Sequence, residues 1–273
     1  LIEGAFLHLP GIGPATAQRL RAAGFLTWSD VLAHPERLPL GPAGKEKLLA
    51  AVERNRQALE ADNLHYLVSS FHPKEHWRLL GGCNERLSYF DLETDGLWPY
   101  GRITLIVCLH RGRLWLFRAD RDLDAFLDLL EEVDLLVSFN GTCFDVPMVL
   151  QHYHIPELPC AHLDLRWVCH HLGWKGGLKA IEQAVGLQRP PGIFGLDGED
   201  AILLWQRWIH RRDRQAFTTL VRYCAADVLS LRLLTTVILA EHGTCLAEAL
   251  GPNPYEQLDD LLLEPLEEPR STP

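Results

Sequence analysis

Ser88-Tyr-Phe-Asp91-Leu-Glu93-Thr-Asp-Gly96 is the stretch on which the reading of this chain turns. In residues 88–92 aromatic and aliphatic side chains lead into a Thr-Asp-Gly turn, which predicts a strand and its end. Side chains two apart along a strand share a face. Asp91 and Glu93 therefore stand together at the end of a strand that otherwise suits burial. Two such carboxylates repel, and burying both is costly unless a proton or a cation is shared. Hard divalent cations with oxygen ligands, Mg²⁺ or Mn²⁺, are the usual solution. Alone, Asp-x-Glu at a strand end is more often a solvated edge than a site, so its meaning depends on carboxylates further along.

Downstream, residues 103–110 and 114–117 are apolar runs parted by Arg-Gly-Arg, a hairpin that completes a three-stranded antiparallel meander. Residues 122–132 have helical periodicity through Leu123, Phe126, Leu127 and Leu130. A short buried strand at 135–139, a helix from about 144, a strand around 162–165 and a helix at 178–185 follow. After a Pro/Gly loop at 189–195, residues 199–242 read as helical. The class is α/β, a mixed sheet flanked by helices.

Two further carboxylates join the first pair. Asp145, in Asn140-Gly-Thr-Cys-Phe144-Asp145, opens a helix at the carboxyl end of a strand, where α/β sheets place their sites; the plain alternative is a helix cap. Asp227 follows Tyr223 by four residues, so both project from one helix face. That pair is ordinary on a solvated helix, but here it sits among Leu220, Val221, Val228 and Leu231. In order, Asp91-x-Glu93, Asn140…Phe144-Asp145 and Tyr223-x-x-x-Asp227 resemble the three motifs of the DEDD exonucleases, Tyr-containing subclass. The wording Phe-Asp-Leu-Glu-Thr-Asp-Gly-Leu, Ser-Phe-Asn-Gly and Leu178-Lys179-Ala-Ile-Glu182 is similar to the YprB-type branch of ribonuclease H-like exonucleases, over residues 86–240. The resemblance implies a ribonuclease H-like fold and a 3′–5′ exonuclease. It implies two divalent ions (Mg²⁺ or Mn²⁺) held by Asp91, Glu93, Asp145 and Asp227, and Tyr223 orienting the attacking water. With an ordinary phenol pKa near 10, positioning suits Tyr223 better than proton abstraction. Thr94, with the rest of the 94–97 turn, Asn140 and Phe144 are the expected contacts for the terminal nucleotide.

The front of the chain reads differently. Leu-Pro-Gly11-Ile12-Gly13-Pro-Ala-Thr-Ala-Gln-Arg-Leu predicts a tight turn feeding a helix, with Pro14 in its first turn and Gly24 past its end. Backbone N–H groups of Gly11, Ile12 and Gly13 beside a helix N-terminus make a ready anion site. The stretch resembles a helix-hairpin-helix motif, which implies sequence-independent phosphate binding, with Arg19, Arg21, Lys45 and Lys47 adding salt-dependent charge. The bland reading is a helical packing module.

The net charge of −10 argues against a broadly basic nucleic-acid binder. It is unevenly spread: residues 1–57 hold seven Lys/Arg against five Asp/Glu, so the acidity lies behind them. Seven scattered Cys without regular spacing read as reduced thiols of a cytoplasmic protein. No apolar run long enough to span a membrane and no secretory signal are expected, and opening on Leu1 reads as an excised or processed piece. Cys160-Ala-His162 and Cys169-His170-His171 match no usual zinc spacing. Asp164 reads as a neighbour of the site or a partner of Arg166. Trp167, Trp174, Trp205 and Trp208 can stack on bases, with core packing the better reading for most.

The expected organisation is a helical domain at 1–62, a connector at 63–85, a ribonuclease H-like domain at 86–245 and an acidic, disordered tail at 246–273. The functional expectation is a metal-dependent nuclease acting on DNA or RNA, at single strands or 3′ ends. The rival is a dormant nucleic-acid-binding adaptor that keeps the fold. A small-molecule phosphohydrolase fits less well, having no need of the front module.

Overall fold

The computed structural model describes residues 1–96, 99–244 and 255–258, in two units, Leu1–Asn84 and Glu85–Pro273. The first unit is helical. α1 (Pro14–Ala22) starts with Pro14 at its first position and Gly13 as its cap; Gly24 just beyond it has φ +89°, a left-handed turn that favours glycine. α2 (Trp28–Ala33) opens with a capping box in which Thr27 and Asp30 satisfy each other's backbone amides. α3 spans Pro42–Glu60. Trp28 is the centre of this core, fully buried, with its indole N–H donating to the Ala5 carbonyl at 2.7 Å.

Residues 63–85, expected as a connector, instead form α4 (Leu64–Ser70) and α5 (Trp77–Gly82) within the first unit. The physical reason is Glu75. Its buried carboxylate accepts the backbone N–H groups of Phe6 at 3.0 Å and Leu7 at 2.6 Å, with Arg21 and Arg78 each 3.6 Å away. A carboxylate so well bonded clasps the two ends of the unit together.

The second unit is built on β1 (Leu87–Thr94), β2 (Ile103–His110) and β3 (Arg113–Arg118), the expected antiparallel meander. α6 (Ala125–Glu131), β4 (Leu135–Ser138), α7 (Asp145–Tyr153) and β5 (Ala161–Asp164) follow. β4 and β5 add in parallel on the far side of β1, giving the order β3-β2-β1-β4-β5. This five-stranded mixed sheet flanked by helices is the expected ribonuclease H-like architecture. Then come α8 (Leu165–His171), a short helix missed in the sequence, and α9 (Leu178–Ala184).

The helical stretch expected over 199–242 is two helices, α10 (Gly198–Arg211) and α11 (Arg214–Glu241). Arg212 turns left-handed between them, at φ +51°, and Asp213 caps α11 through the Ala216 amide at 3.1 Å. Among the described residues, α11 is the one helix long and apolar enough to cross a membrane, which corrects the expectation that no such run exists. Its apolarity has a different cause here, for 78% of that window is buried in the fold.

β1 divides the core. Phe90 and Leu92 face a cluster with Ile106, Cys108, Phe117, Phe126, Met148 and Val149, while Asp91 looks the other way, toward α11. Most of the expected acidic tail lies outside the described residues. Residues 255–258 do not follow that expectation: Tyr255 and Leu258 are buried, and the Tyr255 hydroxyl lies 3.0 Å from Ser230 Oγ on α11.

Candidate active site

The ends of two neighbouring strands are mismatched, and the site lies in the mismatch. β1 pairs with β4 only through Leu87–Tyr89, and β4 stops at Ser138, whereas β1 runs on to Thr94. The later backbone of β1 is therefore open on that side, and the Leu92 amide serves the carboxylate of Asp145. A register shift between Glu93 and Thr94 against β2 re-aims the strand at the same point.

Asp145 is the first residue of α7, with Phe144 in the capping position, so it is not the side-chain cap of the bland reading. The positive end of the helix still favours its charge. The preceding turn is held by Asp164, whose carboxylate accepts the N–H groups of Asn140 at 2.7 Å, Thr142 at 3.1 Å and Arg166 at 3.0 Å. Asp164 thus partners the backbone of Arg166; the Arg166 guanidinium goes to Asn140 Oδ1. Asn140 sits at φ +65°, and a Cβ on Gly141 would fall 2.0 Å from Ser138 Oγ, so only glycine fits. Tyr223 and Asp227 project from α11, both buried.

Asp91 and Glu93 come together, while Asp145 and Asp227 stand outside that close group and near enough for their charges to bear on both. One ligand atom each from Asp91, Glu93 and Cys224 lie within 4.8 Å of one another, the one such group of metal-ligating side chains among the described residues. Burial, then the charges of Asp227, Asp145 and Glu93, push Asp91 well above the usual carboxylate range, and burial with Asp227 and Asp145 does the same to Glu93. Burial raises Asp145 to about 7 and also raises Asp227, against which Arg189 pulls down. Four desolvated acids of this kind cannot all ionise without added positive charge. Their hard oxygen donors suit a Mg²⁺- or Mn²⁺-type cation. Cys224 does not turn the site toward soft metals. Burial holds its thiol well above the ordinary range, and it lies 3.5 Å from Asp91 Oδ2 as a donor.

Two cations that sequence reasoning left without a role complete the constellation. Arg189 follows α9 in the loop and forms ion pairs with Asp227 and with Glu182, the latter at 2.7 Å. Its Nη1 is buried and has no hydrogen-bond partner among the described residues. Lys179 on α9 donates to the Tyr223 hydroxyl at 2.8 Å and to the Leu196 carbonyl. Burial first, then Asp227, raises the Tyr223 phenol, so it stays protonated. Lys179 and Glu182 stood in a quoted motif. For Arg189 the available signal was an arginine just ahead of Pro190-Pro191.

Other expected contacts are placed less openly. Thr94 is buried and its hydroxyl is spent on the Gly96 carbonyl at 2.7 Å. Phe144 packs against the apolar cluster, and Leu97 lies outside the described residues. In the first unit Gly11 and Gly13 are exposed and Ile12 is buried, so the turn can offer only backbone. Arg21 and Lys45 are engaged, with Glu75 and the Glu36 carbonyl, while Arg19 and Lys47 are exposed. His162 bonds to Ser138 at 2.8 Å rather than joining Cys160 or Cys169 in a metal site.

A family model described as the RNase_H superfamily matches residues 88–239, more than half of the chain and the whole span that carries the four carboxylates. Among solved structures, the family B DNA polymerase from the hyperthermophilic archaeon Pyrobaculum calidifontis is 20% identical, with a TM-score of 0.46 over 63% of this chain. The match spans 26% of that polymerase chain. The Nibbler EXO domain of Aedes aegypti is 15% identical, with a TM-score of 0.40 over 69% of this chain and 92% of its own. No curated protein matches the sequence.

Proposed function

This chain belongs to the RNase_H superfamily, and from that premise we propose that it hydrolyses nucleic-acid phosphodiester bonds, as a metal-dependent 3′–5′ exonuclease. The observation that supports the reading is the close pair Asp91 and Glu93 at the end of β1, on which the charges of the buried Asp145 and Asp227 also bear. The polarity rests on the resemblance to the DEDD exonucleases alone. Asp91, Glu93, Asp145 and Asp227 would hold two divalent ions, Mg²⁺ or Mn²⁺. Bound there, such ions activate water and neutralise charge on the leaving oxygen.

The chain's own groups do the rest. The protonated Tyr223 hydroxyl, fixed by Lys179, orients the attacking water. Arg189 opposes the effect of burial on Asp227 and so favours its charged form. The turn at Gly11, Ile12 and Gly13, as a helix-hairpin-helix element, grips backbone phosphates elsewhere on the strand. One observation favours the adaptor without turnover. Arg189 already supplies Asp227 with a positive partner, which lessens its need for a metal ion.

End-labelled single-stranded DNA and RNA, incubated with Mn²⁺, Mg²⁺ or EDTA, separate the two. The nuclease gives a metal-dependent ladder from the 3′ end that Asp91→Ala abolishes. Binding of either polymer without cleavage selects the adaptor. Cleavage that survives EDTA or Asp91→Ala places the chemistry at another site.

A further inference from the structure

α9 separates two environments. Lys179 and Glu182 point to Tyr223 and Arg189, whereas Leu178 and Ile181 line a cleft of about 640 Å³. Its walls hold Trp167, Trp174, Arg166, Lys175 and Asn140, and no Asp or Glu. In a chain of net charge −10, a cleft lined by two indoles and two basic side chains without a carboxylate suits an anion that carries a flat ring. The four tryptophans in question part company here. Trp205 and Trp208 are 7% and 5% exposed and belong to the core, but Trp167 is 41% exposed. Arg166 lies 5.7 Å from the Trp167 ring centroid and also holds Asn140, which ties the cleft to the turn that carries Asp145.

We propose that this cleft is a nucleotide subsite for an unpaired stretch of the nucleic-acid strand, with bases stacked on Trp167 and Trp174 and phosphate on Lys175. Indole faces accept any base, and cations beside them track the backbone, which is how single strands are held without sequence readout. A base inside a duplex is stacked on both faces and cannot reach an indole without leaving the helix, so the cleft assigns a single strand, not a duplex, to the site reached through Asn140. The assignment deepens the nuclease reading and rests on it for the strand's direction only.

The test is binding of the full-length chain to fluorescent oligothymidylate, oligouridylate and a blunt DNA duplex, by anisotropy in EDTA, where no cleavage confounds it. Trp167→Ala is expected to weaken single-strand binding about tenfold or more, with Trp167→Phe restoring most of it. Lys175→Ala is expected to weaken it and to flatten the slope of log affinity against log salt by about 0.7. Trp167 is exposed, so its truncation leaves the core intact, which circular dichroism verifies. Affinities of both Ala variants within twofold of wild type overturn the subsite, even if wild type is an active exonuclease. Equal losses on duplex and single strand overturn the single-strand assignment. Single-strand binding that falls in Trp167→Ala, from a wild type that cleaves nothing, upholds the subsite and defeats only the nuclease reading.

Discussion

Replacing Arg189 with methionine keeps an unbranched apolar stem and removes the guanidinium and its charge. In the native fold one guanidinium, 5% exposed, serves two carboxylates that are 3% exposed in Glu182 and 11% in Asp227. Two of its bonds to Glu182 are 2.7 and 2.8 Å. Without it both acids stay buried, and each must lose its charge or carry it unpaired. Removing one partner of a buried pair costs about 3–5 kcal/mol. For a unit of this size that lowers the melting temperature by about 6–20 °C. The loss should be largest in EDTA at pH 7.5. It should shrink as the pH is lowered, because burial raises Asp227 and favours its neutral form, and shrink again with saturating Mn²⁺, which replaces the positive charge at Asp227. Glu182→Gln in the same background should recover part of the stability. Calorimetry of the full chain gives all four numbers. A loss under about 1 kcal/mol, or one indifferent to both pH and Mn²⁺, would refute the reasoning, because neither acid would then depend on Arg189.

In metal-free protein the site opposes folding at neutral pH. A carboxyl raised in the folded state binds more protons folded than unfolded, so for Asp145 stability falls as pH rises from about 4 to about 7 and is level above. His8 and His162, both lowered to about 4 by burial, act in the opposite sense up to pH 6.5. The informative quantity is therefore the difference between wild type and Asp145→Asn, whose stability advantage should grow across that window in urea melts. An unchanging difference would count against the buried acid. Tyr223→Phe should lower cleavage about 10²-fold by freeing the water, while Mn²⁺ binding by calorimetry stays unchanged; weaker Mn²⁺ binding would assign the residue to the metal instead. Gly141→Ala forces Ser138 Oγ aside from a 2.0 Å clash and should cost about 1–3 kcal/mol, a value checked by urea unfolding. Phe90→Ala, at a fully buried ring in the middle of β1, should cost about 3–5 kcal/mol in the same assay.

What could be read from the sequence follows from local periodicity. A strand's period of two sets Asp91 and Glu93 on one face, and a helix's turn aligns Tyr223 with Asp227, so these groups declared themselves. The strand at Ile103–His110 was legible to the residue because an unbroken apolar run ends in a turn signal. What stayed hidden depends on distant partners. Arg189 lies in a loop whose path is decided only when α9 and α11 are packed. Glu75 looks like any surface acid until Phe6 and Leu7 bring their amides to it. The boundary between α10 and α11 was invisible for a third reason: the residue that breaks the helix, Arg212, is neither glycine nor proline.

The position of α11 also bears on how the protein is made. Chains emerge amino end first and units fold as they are completed. The strand bearing Asp91 and Glu93 is therefore synthesised long before the helix that brings Asp227 and Tyr223 to it. A nascent chain that has not yet exposed α11 lacks one of the four carboxylates and the phenol together, and its sheet lacks the helix that packs on β1 and β2.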